Sequence, residues 1–375
     1  MIETAAFDSI AAIDPSHWNA LRFRNDASLE LEDWSYLHAI ERAGLLDFRF
    51  VYFALHENGK LRAAAPAFFT DYRLDTTVSG ALKRVTDTVA KLLPRLLRIP
   101  MLALGSPVTE ACGIGFDADS SEAQRARWLD ALLTKMEDTA ARGSAWMLAV
   151  KDAPVANDAL WRRVFPQHGL RVLPGLPGAT LDLPYADLDG YLASLSAATR
   201  KDLRRKWRAA EKLKIEWRDS LDGIREAVMS LYRATLKNAQ FQFEELTEGY
   251  FESVLREMPG RAFIVTYSEG TALRAFNLVL QDRTRLLDKF FGMDYSAMDR
   301  FNLYHVSWLE NVRHCIAQRI PVYESGQGLH REKQRLGSVL HANNLWYRHR
   351  NRFTDGVFAR VDRFARMDEG EARCA

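Results

Sequence analysis

The chain contains little cysteine: three of its 375 residues, Cys112, Cys315 and Cys374, lie far apart. An odd number of cysteines without a CxxC spacing argues against a disulfide framework and against a cysteine metal site, and favours a reducing compartment. The first residues, Met1 to Thr4, lack the charged-then-apolar order of a signal peptide. We therefore expect a cytoplasmic protein.

Long hydrophobic runs are also missing. The most apolar stretch is 85–104, which is interrupted by Lys91, Pro94, Arg95, Arg98 and Pro100. A membrane span needs about 18 uninterrupted apolar residues, so none is predicted. The stretch is typical of a buried helix, and peripheral contact with a membrane surface is the alternative.

Several catalytic motifs are absent. The sequence has no HExxH, GxxxxGK[ST], GxSxG or GxGxxG motif, which argues against metal-dependent hydrolysis, P-loop phosphoryl transfer and serine hydrolase chemistry. We predict no bound metal and no DNA partner. The formal net charge is only +2, so an anionic ligand must be recognised by a local patch.

The length predicts two domains, and the composition, with 47% hydrophobic and 27% charged residues, is that of a soluble globular protein. In the first half, the pattern predicts a helix over 31–43, a hairpin over 50–69, a helix over 121–142 and a strand over 146–150. A Pro/Gly-rich passage at 169–184 is the predicted boundary.

The second half repeats this order more clearly. Helices are predicted at 191–213, 221–240 and 250–257, and an antiparallel meander spans 262–293. A helix over 302–318 and a strand over 321–325 follow. We therefore predict an α+β protein of two related units, 1–180 and 181–355, each a mixed, mostly antiparallel sheet flanked by helices, with a tail at 356–375.

Three stretches carry candidate functional residues. In the helix around 199–212, Leu203, Trp207 and Ala210 share one face, and the other face is crowded by Arg200, Lys201, Arg204, Arg205 and Arg208. An anion such as a phosphate would relieve the repulsion between these cations. A plain solvated helix face is an equally good interpretation.

The second stretch is a predicted strand over 285–293, in which Asp288 and Lys289 interrupt apolar residues. Neighbours on a strand point to opposite faces, so at least one of the two points inward and needs a partner. A structural ion pair and a polar group in a cleft are the two interpretations.

The third stretch follows the last predicted strand, where glycines flank Gln327 and would let a ligand approach the backbone. Glu324 ends the strand, and His330 and Lys333 follow. An acid, a base and a cation therefore lie within one short segment, which is a moderately specific sign of acid–base chemistry.

Two of these stretches resemble one family. Residues 191–205 are similar to the "YLxSLSxxxRKxLRR" helix of GNAT-superfamily proteins of the FemAB-like type. Residues 324–337 resemble the "E-x-G-x-Q-G-x-H-K…G" run of FemAB-like N-acyltransferases, with one residue fewer before Gln327 and two residues inserted between His330 and Lys333.

The resemblance implies tandem GNAT-like units and transfer of an acyl group to a small-molecule amine by direct attack. It implies a donor on coenzyme A, an acyl carrier protein or a tRNA, and no tightly bound cofactor. The implied catalytic residues are Glu324 as the base, His330 and Lys289. The implied donor-binding residues are Arg204, Arg205, Phe291, Asn302, Tyr304, Gln327 and Lys333.

Residues 294–302 lack the Gly-rich "QxxGxG" phosphate loop of ordinary GNAT enzymes, which makes a carrier protein or a tRNA a stronger candidate than coenzyme A. Three functions stay open: an N-acyltransferase using a thioester, an aminoacyl-tRNA-dependent transferase and a non-catalytic polyanion-binding protein. The tRNA alternative is favoured by the basic helix and by Arg348, Arg350 and Arg352 among aromatic residues.

Overall fold

The computed structural model describes residues 1–22, 31–73, 98–239 and 243–351. These residues form two compact units, each with its own sheet and hydrophobic core. The described part of the first unit comprises 1–22, 46–73, 98–175 and 343–351, and that of the second comprises 31–45, 176–239 and 243–342. Both sheets are mixed and mostly antiparallel, so the α+β prediction is confirmed.

The elements follow in chain order. The strands are β1 (Ile2–Phe7), β2 (Arg49–Glu57), β3 (Lys60–Arg73), β4 (Arg98–Leu104), β5 (Gly115–Phe116), β6 (Met147–Pro154), β7 (Arg171–Pro174), β8 (Gly178–Asp182), β9 (Lys214–Arg218), β10 (Ala262–Glu269), β11 (Ala272–Gln281), β12 (Arg285–Met293), β13 (Val322–Gly326), β14 (Val339–His341) and β15 (Asn343–His349). The α-helices are α1 (Pro15–Asn19), α2 (Trp34–Arg42), α3 (Glu122–Arg142), α4 (Asp158–Val164), α5 (Leu188–Ser194), α6 (Ala197–Trp207), α7 (Arg225–Asn238), α8 (Glu248–Glu257), α9 (Met298–Phe301), α10 (Leu303–Gln318) and α11 (His330–Arg335).

The sheet of the first unit has the strand order β1-β2-β3-β4-β6-β15-β7, with β5 also paired to β3. Its one parallel pair among the described residues is β4 with β6. Helix α3 begins at a capping box in which Ser121 and Gln124 satisfy each other's backbone amides. Its apolar stripe, which includes Trp128 and Leu132, is buried in the core against the sheet.

The sheet of the second unit has the order β14-β8-β13-β12-β11-β10-β9, and β12 pairs with β13 in parallel. Helix α10 supplies Leu303, Val306 and Leu309 to the core on one face. The other face of the sheet carries an aromatic cluster. In this cluster, Tyr232 of α7 and Phe251 of α8 contact Phe276 and Phe290 of the sheet. Aromatic contacts of this kind add to the free energy that burial alone supplies.

The chain crosses between the two sheets at short links. Strands β7 and β8 are separated by three residues yet belong to different sheets. Strands β14 and β15 are separated by one residue and also belong to different sheets. The first crossing, at 175–176, lies inside the Pro/Gly-rich passage of the predicted boundary. The predicted domains, 1–180 and 181–355, are each one contiguous segment. In the structure, each unit also contains a segment from the other half of the sequence.

One exchanged segment is 31–45, which contains α2. Its Tyr36 hydroxyl lies 2.7 Å from that of Tyr250, and Arg261 Nη1 donates to Asp33 at 2.7 Å. The other is 343–351, which contains β15. A periodic pattern predicts a strand or helix but not the sheet it joins, because that choice depends on contacts distant in sequence. The predicted tail, 356–375, lies outside the described residues.

Among the predicted elements, the helix over 302–318 corresponds to α10, and the meander corresponds to β10, β11 and β12. The helical region over 191–213 is α5, α6 and a 3-10 turn at Arg208–Lys212. Strand β9, which follows directly, was not predicted, and it forms the outer edge of the sheet. Edge strands have mixed polar and apolar residues, so their alternation is a weak signal.

Candidate active site

The candidate site lies where β12 and β13 part. The two strands pair at Arg285–Val322, Leu286–Tyr323 and Leu287–Glu324, and the described residues contain no further pair between them. Strand β12 continues to Met293, paired with β11 on its other side. Beyond Leu287, one edge of β12 therefore faces a gap in the sheet instead of a neighbouring strand.

Asp288 is the first residue of β12 beyond the paired section. Its Oδ2 accepts a hydrogen bond from Tyr323 Oη at 2.9 Å and from Asn311 Nδ2 at 3.3 Å, and its Oδ1 accepts from Asn277 Nδ2 at 2.9 Å. These donors favour the charged carboxylate, but burial outweighs them and raises the pKa of Asp288 to about 6. Such a carboxylate can take up a proton near neutral pH.

The polar surroundings of Asp288 are built on α10 and β11. Ser307 and Tyr267 both donate to Asn277 Oδ1, which fixes that amide with its nitrogen toward Asp288. Tyr304, Ser307 and Asn311 recur at a spacing of three and four residues, so they form one stripe of α10. The roles of Asn277, Ser307, Asn311 and Tyr323 are not predicted from the sequence, where their only signal is that they are polar residues inside apolar runs.

Two buried polar atoms beside Asp288 have no hydrogen-bond partner within the described part of the chain: Tyr304 Oη and Asn311 Oδ1. Burial raises the pKa of Tyr304, and the negative charge of Asp288 acts in the same direction. An enclosed polar atom without a partner costs about 1–3 kcal/mol. A polar ligand at Asp288 would satisfy both atoms.

Lys289 lies on the opposite face of the sheet from Asp288, as the alternation of a strand requires. A bulge at this residue lets Phe290 pair with Leu278 while Asp288 pairs with Val279. The Lys289 ammonium forms an ion pair of 2.6 Å with Glu32 and lies over the ring of Tyr36. Both charged side chains are almost fully buried, with 5% and 9% exposed.

Glu324 shares this face with Lys289. Its carboxylate forms an ion pair of 3.2 Å with Arg285, and these two side chains are 10% and 9% exposed. The predicted base is therefore paired with a buried guanidinium. Its role as a base stays a prediction, and Asp288 on the other face is the carboxylate with the raised pKa.

Lys333 has an enclosed ammonium group. Its Nζ donates to the carbonyl oxygens of Ser325, Gly326 and Gln327 at 2.6, 2.7 and 3.2 Å. An ammonium has three protons, so these carbonyls use all of them. Lys333 thus fixes the turn after β13, and its contact with a donor stays a prediction.

The other predicted residues of this turn lie close by. The Nε2 atom of His330 lies 3.1 Å from the carbonyl oxygen of Pro177 and 3.3 Å from the Gly328 amide. Gln327 is half-buried in the same turn. The structure therefore brings Glu324, Gln327, His330 and Lys333 together at the end of β13.

Phe291, Asn302 and Tyr304 also lie on the side of Asp288. The rings of Phe291 and Tyr304 pack edge to face, with centroids 6.3 Å apart. Asn302 links α9 to α10 in the left-handed conformation, with φ of 51°. Its carbonyl accepts the first backbone bonds of α10, from His305 and Val306.

Three basic residues of α6, Lys201, Arg204 and Arg205, are exposed. Arg204 pairs with Asp189 at 3.0 Å and Arg205 with Asp202 at 2.8 Å. Leu203 is buried, and Trp207 packs against the core, as the predicted apolar face requires. Exposed pairs like these hold their side chains weakly, so both arginines can turn to another anion.

The basic run near the end of the described chain belongs to the first unit. Arg348 pairs with Glu137 at 3.1 Å, and Arg350 Nη1 donates to the Ala145 carbonyl at 3.1 Å. Arg352 lies outside the described residues. Arg348 and Arg350 are thus already bonded within their own unit.

In the first unit, the parallel strands are β4 and β6, as β12 and β13 are in the second unit. The space beside β6, beyond its pairing with β4, is filled by the chain itself. Strands β4 and β6 pair up to Leu104–Val150. The chain then loops out and returns, and the Cys112 amide donates to the Asp152 carbonyl of β6 at 3.0 Å. Lys151 Nζ donates to the Thr109 carbonyl at 2.6 Å, which fastens the loop. The gap that stays open beside β12 is closed here.

Within the described ranges, no helix is long and apolar enough to cross a membrane, and no cluster of His, Cys, Asp and Glu is suited to a metal. A search of curated proteins found no match.

Similar folds occur in several solved structures. The structure of FemX has 12% identity and a TM-score of 0.55, over 92% of this chain and 96% of that chain. A tandem GNAT protein from the clavulanic acid biosynthesis pathway, solved without AcCoA, has 11% identity and a TM-score of 0.56, over 94% and 99%. The C-terminal domain of a putative lysylphosphatidylglycerol synthetase from Agrobacterium fabrum has 13% identity and a TM-score of 0.53, over 88% and 90%.

These likenesses confirm the predicted tandem GNAT-like fold. A sequence profile of the FemAB-like family, described as peptidoglycan biosynthesis and recognition, matches residues 9–369. Because this match spans nearly the whole sequence, the chain belongs to the FemAB-like family.

Proposed function

We propose that this FemAB-like transferase moves an acyl or aminoacyl group to a primary amine at Asp288, in the second unit. The observation that carries the proposal is the hydrogen-bonded carboxylate of Asp288, whose pKa is raised to about 6, together with two buried polar atoms, Tyr304 Oη and Asn311 Oδ1, that have no partner among the described residues. An amine fits these groups, since it can donate one N–H to Asp288 and another to Asn311 Oδ1.

The reaction needs a base because an amine attacks only when its nitrogen lone pair is free. Asp288 accepts a proton from the nitrogen, the C–N bond forms, and the bond from the carbonyl carbon to the sulfur or oxygen of the donor breaks. The leaving group takes up a second proton from the nitrogen and departs as a thiol or alcohol. No covalent enzyme intermediate is required.

The edge of β12 supplies a donor for the carbonyl oxygen of the substrate. The Met293 amide points away from β11, since it donates to Thr235 Oγ1 of α7 at 3.3 Å. Residues two apart on a strand present their amides to the same edge, so the Phe291 amide also points away from β11. An amide in this position can stabilise the negative oxygen of the tetrahedral intermediate.

The open gap favours the second unit as the place where the donor binds. An extended donor can lie along the unpaired edge of β12, whereas the first unit fills the corresponding place with its own loop. The exposed cations Lys201, Arg204 and Arg205 of α6 favour a donor with phosphates. An aminoacyl-tRNA is the second candidate for this reason, beside an acyl thioester on coenzyme A or a carrier protein.

The test is a mass-spectrometric screen of the purified protein with acetyl-CoA, acyl carrier proteins and aminoacyl-tRNA, each with a mixture of amines. We expect one donor to give an amide product with release of equimolar thiol or deacylated tRNA.

Asp288→Asn should lower turnover about 100-fold or more. In the wild type, kcat/KM should fall as the pH drops below about 6, because Asp288 is then protonated. Undiminished turnover by Asp288→Asn would overturn the role of Asp288.

A further inference from the structure

The alternation of side chains along β12 is interrupted just beyond Asp288. Asp288 and Phe291 are three positions apart, a spacing that puts side chains on opposite faces of a regular strand. Both nevertheless face α10. Asp288 accepts a hydrogen bond from Asn311 of that helix. The ring of Phe291 packs on Tyr304 of the same helix. The register with β11 gives the reason, because Lys289 forms a bulge between the two positions.

Lys289 and Phe290 are neighbours in the chain, yet they share the other face of the sheet. The ring of Phe290 packs against Phe251 of α8, with centroids 6.1 Å apart. The Lys289 ammonium lies 5.3 Å from the centre of the Tyr36 ring. The Tyr36 hydroxyl is 2.7 Å from that of Tyr250, which precedes Phe251 in α8. The bulge therefore turns two successive side chains to one face and reverses the alternation of the residues that follow.

The bulge carries a buried ion pair. Lys289 Nζ lies 2.6 Å from Glu32 Oε1, and the two side chains are 5% and 9% exposed. Glu32 belongs to the segment 31–45, which the second unit takes from the other half of the sequence. Two charges removed from water need each other, because either one alone in such a place is strongly destabilising. A shift of β12 by one residue would move Lys289 about 3.3 Å along the strand and separate the charges.

We propose that the Lys289–Glu32 ion pair fixes the bulge of β12 and so sets the position of Asp288 relative to the Phe291 amide. This inference rests on the proposed function, in which Asp288 takes up a proton and the Phe291 amide contacts the carbonyl oxygen of the donor. The ion pair lies on the opposite face of the sheet, so neither charged group contacts a substrate bound at Asp288. Lys289 and Glu32 are therefore positioning residues, and this role replaces the catalytic one that the sequence predicts for Lys289.

The test compares two double variants. The apolar variant, Lys289→Met with Glu32→Leu, removes both charges at similar volume, a change that often preserves the stability of a buried pair. The exchanged variant, Lys289→Glu with Glu32→Lys, restores an ion pair with the charges reversed. With the donor and amine found in the screen, we expect the apolar variant to melt near the wild-type temperature but to have a kcat lower by about tenfold or more and an unchanged KM. The reason is that a displacement of about 1 Å in a reacting group can cost about 100-fold. The exchanged variant should recover most of the lost kcat.

Arg261→Met is the matched control. Arg261 holds the same segment through an ion pair of 2.7 Å with Asp33, the neighbour of Glu32, but it precedes β10 and is not part of the bulge. This variant should lower the melting temperature and leave kcat unchanged. A loss of kcat as large as that of the apolar variant would show that docking of the whole segment is what matters, and would overturn the role of the pair.

Crystal structures of the two double variants supply a measurement that needs no substrate. The 2.9 Å hydrogen bond from Tyr323 Oη to Asp288 Oδ2 should be lost in the apolar variant and present in the exchanged one. The inference is overturned if the apolar variant keeps either this bond or the wild-type kcat. Should the apolar variant not fold, Glu32→Gln replaces it, since it keeps the shape of the side chain and removes the charge, and the same losses are expected. No turnover by the wild type with any donor would overturn the proposed function, while the structures would still decide whether the pair holds the bulge.

Discussion

Tyr323 Oη donates a 2.9 Å hydrogen bond to Asp288 Oδ2 and so joins β13 to β12 at the point where their pairing ends. Burial raises the pKa of both groups, so each is harder to ionise than in water. The bond fixes the position of a carboxylate next to an open strand edge. A carboxylate held in this way needs little reorganisation when a substrate binds.

The first prediction concerns Asp288 and stability. Its pKa of about 6 in the folded chain lies above the ordinary value of 3.8, so the folded state holds this proton more tightly than the unfolded state. The contribution to stability is therefore present at low pH and is lost as the pH rises from about 4 to about 6, by about 3 kcal/mol in all.

Asp288→Asn removes this titration. We expect its stability relative to the wild type to increase from about pH 4 to about pH 6 and to stay constant above that, as measured by urea unfolding at a series of pH values. Asp294→Asn is a useful comparison, because hydrogen bonding to Ser296 lowers the pKa of Asp294 below its ordinary value of 3.8. Its stability relative to the wild type should therefore decrease as the pH rises, and this change should occur below about pH 4. A difference between Asp288→Asn and the wild type that does not vary with pH would contradict this account.

The second prediction concerns Lys333. Lys333→Met should destabilise the second unit by at least about 2 kcal/mol, because three carbonyl oxygens lose their donor in a buried place. Thermal unfolding measures the effect. Lys201→Met is the control, since Lys201 is exposed on α6, and it should change stability by less than about 0.5 kcal/mol. Equal effects of the two substitutions would show that the ammonium does not hold the turn.

The third prediction separates two roles of Glu324. If Glu324 is chiefly the partner of Arg285, Glu324→Gln should cost about 3–5 kcal/mol, because a buried guanidinium loses its counter-charge. The double variant Glu324→Gln with Arg285→Met should regain most of that stability. If Glu324 is the base, Glu324→Gln should instead lower turnover about 100-fold with little change in stability. Unfolding and kinetic measurements on the same two proteins decide between the roles.

The fourth prediction concerns the exposed arginines of α6. Changing both Arg204 and Arg205 to Ala should weaken binding of a phosphate-bearing donor and reduce its dependence on salt, because fewer phosphates are neutralised. Stability should change little, since their ion pairs are exposed. Binding of aminoacyl-tRNA and of acyl-CoA, measured over a range of salt, would identify the donor that uses these cations. Parallel losses of melting temperature and affinity would count against a ligand role.

Much of the molecule follows from local sequence patterns. The periodicity of 302–318 predicts α10, the turns between apolar runs predict the β10–β12 meander, and the Pro/Gly-rich passage contains the first crossing between units. The pattern also predicts that Asp288 and Lys289 face opposite sides of their strand, and the structure confirms it. These features depend on residues close in sequence, and so a single sequence is enough to predict them.

The sequence by itself determined the helices, the main strands and the resemblance to the FemAB-like family. Only the tertiary structure decided which unit contains β8, β15 and α2, and which acid has a raised pKa. Asn277, Asp288, Asn311 and Tyr323 come from four elements and meet only when β11, β12, β13 and α10 pack together. The pKa of a carboxylate depends on its burial and its neighbours, and both are properties of the folded chain.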